Sequence, residues 1–399
     1  MRRAIHLARQ AEGFTHPNPL VGAVIVKDGT IIAEGFHHKY GSLHAERDAL
    51  RDAKERGIDV HGAEMFVTLE PCCHFGKQPP CTQAIIESGI KKVYIGSRDP
   101  NPLVNGKGVQ ILREAGVEVV QDFLREECDA INPVFFHFIK TKMPYVILKY
   151  AVTADGMTAT SAGKSRWITG ESARAYVHKM RSECAAVMTG IATVKADDPM
   201  LNVRLDDNKV HHQPVRIILD KNAELSLESA LAKTAREIPV IDVCSDKPDE
   251  AARLRKAALE KAGVKFIECA CAKNDHFDFR EVLSKIAQEN IDSILVESGG
   301  RLNASLLFEN SNIENSGAPA AGSGGIKNTA PLAAYDAPLV NEVNIFIAPK
   351  IFGNSGANVF SPVRGLGISE VSGCVKLSKP HVEFFDDDIL LKYKVITEA

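Results

Sequence analysis

Over the first 140 residues the apolar positions alternate between two periods. Ile5, Ala8 and Ala11 fall at helical spacing among arginines, which predicts a short amphipathic helix over residues 1–10 that ends near Gly13. Two apolar runs, 21–26 and 30–35, meet at Asp28-Gly29, a dipeptide suited to the positive φ angles of a tight hairpin. After them the pattern predicts a helix over 44–56 closed by Gly57, a strand over 64–69, a helix over 80–88 closed by Gly89, and a strand over 92–96. A helix over 109–115 and a strand over 117–120 complete the series. Strand and helix in turn predict a layered α/β domain.

The apolar run 133–139 gives way to the basic, Pro-containing stretch Lys140–Pro144, which predicts a boundary between residues 1–142 and 143–399. Beyond it the pattern predicts strands over 145–152, 185–189, 215–220, 239–243 and 293–296, and helices over 171–181, 281–288 and 302–308. From Glu342 onward it reads mostly as strands, so a second α/β unit with a mixed sheet is expected. Residues 310–338 break the rhythm. They include Ser316-Gly317-Ala318-Pro319-Ala320-Ala321-Gly322-Ser323-Gly324-Gly325, lack aliphatic periodicity, and read as a long flexible surface insertion.

At 399 residues the chain is long for one core, and 45% hydrophobic with 25% charged residues marks a folded globular protein. Lys plus Arg number 48 against 51 Asp plus Glu, a formal net charge of −3, which argues against general affinity for nucleic acid or anionic membrane. The first residues lack a signal-peptide core and no long apolar run follows, so a cytoplasmic protein is expected. Nine cysteines change the picture, because Cys72, Cys73 and Cys81 fall within ten residues. That clustering points to a metal site rather than a disulfide framework, and the scattered six read as inert thiols.

His44-Ala45-Glu46 opens a predicted helix, and Pro71-Cys72 follows the strand ending Leu69-Glu70. A catalytic zinc takes three protein ligands and keeps a fourth position for water. One imidazole and two thiolates meet that need, which makes His44, Cys72 and Cys81 the candidate ligands. Cys73 competes with Cys81, although adjacent cysteines rarely reach one ion without strain, and His74 is the nearest fourth ligand for a purely structural zinc. Glu46, two residues from His44, is placed to take a proton from the water and hand it to a leaving amine. His-x-Glu followed by Pro-Cys and a further Cys is the pattern of zinc nucleobase deaminases, here with eight residues between the thiols where Cys-x-x-Cys is usual.

The runs Thr15-His16-Pro17-Asn18-Pro19-Leu20-Val21-Gly22, His44-Ala45-Glu46, Thr68 to Cys81 and Asp99-Pro100-Asn101-Pro102 together resemble the bifunctional deaminase-reductase family of riboflavin biosynthesis, which shares the longer spacing. The resemblance implies a cytidine-deaminase-like three-layer domain acting on a diaminopyrimidine with a ribosylamino phosphate. It also implies that Asn18, His37, His74, Lys77, Asp99 and Asn101 hold the ring, ribose and phosphate. Lys77 suits a phosphate as a point charge, and Asn18 offers both donor and acceptor to a pyrimidine edge.

Farther on, Glu297-Ser298-Gly299-Gly300 after a predicted strand suits either a phosphate held by backbone N–H groups or a plain tight turn. The resemblance continues through Lys149–Gly156, Ser165–Thr169 and Gly190–Pro199, and implies a dihydrofolate-reductase-like domain that uses NADPH to convert the ribosyl side chain to ribityl. It places Ala151, Trp167, Thr193, Asp197 and the turn Gly299, Gly300, Arg301, Leu302, Asn303, Ala304 and Ser305 at the dinucleotide. It places Ser165, Arg181, Leu201, Arg204 and Glu297 at the substrate. Lys149 is either a proton carrier near the sugar or a solvated strand-end lysine. Lys221 stands at the cofactor where the family usually has Ser or Thr, which predicts altered rather than lost binding, and the insertion is longer than the family's. A self-associating second domain is a further implication. The competing reading is a zinc deaminase of nucleic acid with a C-terminal binding module, disfavoured by the acidic balance and 6% aromatic content. A scaffold with structural zinc is disfavoured by Glu46.

Overall fold

The first strand pair forms where the hairpin signal lies: β1 (Gly22–Lys27) and β2 (Thr30–Phe36) pair antiparallel around Asp28 and Gly29, both at positive φ. The structure, a computed structural model, describes residues 1–75, 79–271, 276–308, 338–353, 360–365 and 367–396. Lys77 and all of the 310–338 insertion except Pro338 lie outside the described residues. The chain divides into two units, Met1–Lys142 and Met143–Ala399.

In the first unit these strands join α1 (Arg2–Arg9), α2 (Ala45–Glu55), β3 (Glu64–Leu69), α3 (Cys81–Glu87), β4 (Lys92–Ser97), α4 (Lys107–Glu114), β5 (Glu118–Val120), α5 (Arg125–Asp129) and α6 (Pro133–Thr141). The sheet order is β2-β1-β3-β4-β5, antiparallel up to β3 and parallel from β3 onward. Strand alternation builds three layers. Ala23, Ile25, Met65 and Val67 face Ala45, Ala49 and Ala53 of α2 together with residues of α3 and α4, whereas Val24 faces Ala4 and Leu7 of α1. The free edge of β2 is closed by α2. Asp52 accepts the Glu34 N–H, Asp48 accepts the Phe36 N–H, and Arg56 donates to the Ile32 carbonyl. The apolar run 133–139 is helical rather than extended, with Pro133 in its first turn.

The second unit runs β6 (Tyr145–Thr153), α7 (Glu171–Glu183), β7 (Ala186–Gly190), α8 (Ile191–Asp197), β8 (Val215–Leu219), α9 (Ala230–Lys233), β9 (Val240–Ser245), α10 (Glu250–Ala262), β10 (Val264–Cys269), α11 (Phe279–Gln288), β11 (Ser293–Glu297), α12 (Gly300–Phe308), β12 (Glu342–Ala348), β13 (Lys376–Leu377), β14 (His381–Phe385) and β15 (Asp388–Ile396). Its mixed sheet has the order β10-β9-β8-β7-β11-β6-β12-β15-β13, with β14 beside β15. Strands β10 to β12 in that order are parallel, and β15 is antiparallel to β12, β13 and β14. The chain winds outward from β7 to β10 and returns to insert β11 between β6 and β7. In α/β sheets ligands bind at such a reversal, outside the carboxyl ends of the strands.

Asp242, inside β9, is buried with neither carboxylate oxygen bonded to a described residue. Burial pushes its pKa well above the usual range and the charge of Asp220 adds to the shift; burial also raises Asp220, to about 6. A carboxyl raised in the folded chain favours folding at low pH and loses that contribution as pH rises through the folded value. The second unit should therefore weaken between about pH 4 and 6 as Asp220 ionises. Asp242→Val should stabilise it by about 1–3 kcal/mol at neutral pH, since a buried unsatisfied polar group is removed. Urea unfolding followed by the single tryptophan, Trp167 of this unit, checks both, and a lower midpoint in the variant contradicts the prediction.

Candidate active sites

His44 is the N-cap of α2 and Cys81 the first residue of α3, so two helix starts meet the loop that carries Cys72 from the end of β3. The donor atoms of the three residues lie within 4.8 Å of one another. His44 Nδ1 is 3.4 Å from Cys72 Sγ and 3.5 Å from Cys81 Sγ. Zinc bonds of about 2.3 Å to sulfur and 2.0–2.1 Å to nitrogen give tetrahedral N–S edges of about 3.6 Å, so this donor set fits zinc. The Cys81 N–H donates to Cys72 Sγ at 3.4 Å, and this sulfur is the more acidic of the pair, its pKa driven down chiefly by its hydrogen bond with the Cys81 thiol. Cys73 turns its sulfur to the Leu103 carbonyl instead, and His74 is not among the three clustered residues. Glu46 is buried beside them. Burial raises its carboxyl pKa and the charge of Cys72 adds to the rise.

A cavity of about 330 Å³ opens over this centre, and Asn18, His37, His74, Asp99 and Asn101 line it with Glu46. His37 donates Nδ1–H to the Leu43 carbonyl at 2.9 Å and accepts from the Asn18 amide through Nε2 at 3.1 Å. Burial lowers the His37 pKa, consistent with a neutral ring serving both roles. His74 Nδ1 is buried with no hydrogen-bond partner among the described residues, and burial lifts the Asp99 carboxyl to about 6. The sequence reading missed the apolar wall, Phe135, Phe138 and Ile139 of α6. Their i, i+3, i+4 spacing was the available signal.

In the second unit the predicted cofactor residues gather at the carboxyl ends of four neighbouring strands. Ala151 lies on β6, Thr193 follows β7, Lys221 follows β8 and Gly299 follows β11. A Cβ on Gly299 would stand 3.9 Å from Thr193 Oγ1, which puts those two side by side. Exposed Trp167 lies under the Arg174 guanidinium, 4.7 Å from its ring, and the Asp197 carbonyl accepts from Arg166. The start of α12, with exposed Arg301, half-buried Leu302 and half-buried Ser305, fits the phosphates of NADPH. Three residues of this turn serve the fold instead. A Cβ on Gly300 would meet the Ser361 carbonyl at 2.4 Å, Asn303 is buried between Ser298 and the Pro362 carbonyl, and Ala304 is buried against Gly365.

Glu297 joins Arg181 and Lys149 in a largely shielded triad, with Arg181 Nε at 2.5 Å and Lys149 Nζ at 2.8 Å. Burial alone would raise the Glu297 carboxyl, but the charges of Arg181 and Lys149 hold it well below the usual range. Lys149 is therefore not a solvated strand-end lysine. Arg181 also donates to the Asn202 carbonyl, and His178 Nδ1 lies 3.1 Å from the same oxygen and 3.2 Å from the Arg204 backbone nitrogen, which ties the segment with buried Leu201 to α7. Arg204 bonds the Asn202 side chain and Ser165 is half-buried before α7. Sequence reading missed His178, whose pKa burial lowers to about 4, with Arg181 and Arg204 adding.

Among known proteins, residues 1–97 match the family described as the cytidine and deoxycytidylate deaminase zinc-binding region, and residues 144–311 match the RibD C-terminal domain. The chain is 47% identical over 398 residues to the riboflavin biosynthesis protein RibD of Actinobacillus pleuropneumoniae, covering 100% of this chain and 95% of that one. It is similar to the crystal structure of a diaminohydroxyphosphoribosylaminopyrimidine deaminase/5-amino-6-(5-phosphoribosylamino)uracil reductase from Thermotoga maritima. The two are 36% identical over 99% of this chain and 97% of that one, with a TM-score of 0.77. Acinetobacter baumannii RibD is 34% identical over 99% and 97% of the two chains, with a TM-score of 0.79.

Proposed function

The chain belongs to the RibD family of riboflavin biosynthesis enzymes, and from that premise we propose how its own residues carry the two reactions of this zinc deaminase and NADPH reductase. The observation that supports the assignment most is the zinc-sized triangle of His44, Cys72 and Cys81 beside buried Glu46 under one cavity. Zinc held there by His44, Cys72 and Cys81 would supply a water acidified enough to attack at neutral pH. Glu46 takes the proton of that water on its carboxylate and delivers it to the leaving nitrogen. Water oxygen ends on the ring carbon and the amine departs as ammonia. His37 holds the Asn18 amide nitrogen, so Asn18 meets the pyrimidine edge with its carbonyl oxygen, while His74, Asp99 and Asn101 fix the ring and sugar and Lys77 supplies charge for the phosphate.

NADPH supplies the hydride of the second reaction. Ala151, Trp167, Thr193, Asp197 and Lys221 hold it with Gly299, Arg301, Leu302 and Ser305 at the start of α12, and Lys221 meets one of its phosphates. Arg181, Arg204, Ser165, Leu201 and Glu297 align the sugar phosphate, and Lys149 carries the proton needed as the opened ribosyl group becomes ribityl.

Among the described residues no helix is long and apolar enough to cross a membrane. We further infer a cytoplasmic homo-oligomer that acts on a small molecule rather than nucleic acid. NADPH dependence supports the location, the formal charge of −3 disfavours nucleic acid, and apolar side chains exposed on β14 and β15, with Phe384 at 72%, support self-association. Zinc-loaded protein should release ammonia from the diaminopyrimidine ribosylamino phosphate and none from a cytosine-containing oligonucleotide. Release from the oligonucleotide alone would overturn the reading.

A further inference from the structure

Asp99 and Asn101 sit on the loop 98–106 between β4 and α4, and both ends of that loop are fastened to one residue that follows another strand. Glu70, directly after β3, donates its backbone N–H to the Ser97 carbonyl at 3.0 Å, where the loop leaves β4. Its carboxylate accepts the Gly106 N–H at 3.1 Å and the Val109 N–H at 3.3 Å, where the loop enters α4. The N-cap of α4 is Gly106, which has no side chain, so Glu70 supplies the cap from outside. The approach is close: a Cβ on Gly108 would lie 2.4 Å from the Pro71 carbonyl oxygen and 3.2 Å from Glu70 Oε1. Inside the loop, Asp99 accepts the Asn101 N–H at 2.8 Å and Asn101 accepts the Leu103 N–H at 3.1 Å. With its ends fixed the loop therefore has little freedom left.

We propose that Glu70 is a positioning residue for deamination, setting the Asp99–Asn101 loop in register with the metal ligand Cys72 two residues downstream. The inference rests on Asp99 and Asn101 contacting the pyrimidine substrate. Glu70 is not among the three clustered donor residues, and although it borders the cavity its two carboxylate oxygens hold the Gly106 and Val109 N–H groups, so its loss acts on where the ring is held. Two charge-assisted hydrogen bonds disappear in Glu70→Ala, and Glu70→Gln keeps one carbonyl acceptor.

The test uses the full chain loaded with zinc and compares wild type with E70A, E70Q and D99N. E70A should raise KM for the diaminopyrimidine ribosylamino phosphate about tenfold or more, with kcat changed less. E70Q should fall between E70A and wild type, which is rescue by the conservative variant. Zinc content and reduction of the deaminated intermediate by NADPH should stay at wild-type levels. An unchanged KM in E70A, or a fall in kcat alone, overturns the proposal. Should E70A fail to hold zinc, E70Q decides: a raised KM with zinc retained supports the proposal and a wild-type KM overturns it. An unchanged KM in D99N overturns the assignment of the loop to substrate. A raised KM in D99N with wild-type values in E70A and E70Q overturns the role of Glu70 alone.

Discussion

Glu46→Gln is expected to lower deaminase kcat by about 10²–10⁴-fold, the share that a positioned acid–base group contributes. Glutamine keeps the shape of the side chain but cannot accept the proton of the attacking water. Three facts separate this loss from unfolding or metal loss. Glu46 is not among the clustered donor atoms of His44, Cys72 and Cys81, so zinc content should remain at the wild-type level. Burial already raises the carboxyl pKa, so a neutral amide there relieves a cost rather than adding one. The reductase residues lie in the other unit, so reduction of the deaminated intermediate should persist. Ammonia release measured beside zinc stoichiometry checks the prediction, and wild-type turnover in the variant contradicts the assignment of Glu46.

The second large effect is expected at Glu297. Glu297→Gln strands two largely shielded cations, Arg181 and Lys149, and breaking a fully buried pair costs about 3–5 kcal/mol, an upper bound here. The same change misplaces the arginine proposed to meet the sugar phosphate, so reductase kcat/KM should fall by at least about 100-fold. Adding Lys149→Met removes one stranded charge, so the double variant should regain part of the unfolding midpoint without regaining reduction. Thermal unfolding and NADPH oxidation measured on both variants separate the two effects. Full reductase activity in Glu297→Gln would show that the triad serves the fold alone.

The two halves of the chain differ in how far sequence reached them. The zinc centre was legible because its ligands lie close in the sequence and each is announced by a helix start or strand end: His44 caps α2, Cys81 begins α3 and Cys72 follows β3. The Lys149–Arg181–Glu297 triad gave no local signal, since its members come from β6, α7 and β11 and meet only through the register that pairs Glu297 with Lys149. The role of Glu70 was hidden for the same reason, because its partners lie 36 and 39 residues away. Strand and helix alternation placed the first unit's main elements, with α6 taken only as an apolar run. In the second unit α10 and β10 were missed, although Asp249 caps α10 and Gly263 ends it at positive φ. The Gly299-Gly300 pair was read as either a phosphate contact or a plain tight turn, and local sequence could not show that Gly300 is required by the close Ser361 carbonyl, 61 residues away.

The decisive measurement is mass spectrometry of the products formed when zinc-loaded protein meets the diaminopyrimidine ribosylamino phosphate and NADPH. Deamination exchanges an amino group for oxygen and reduction adds two hydrogens, so one spectrum separates the steps. A product both deaminated and reduced is expected, with the deaminated species alone when NADPH is withheld. Unchanged substrate in the presence of zinc and NADPH would contradict the assignment of both sites.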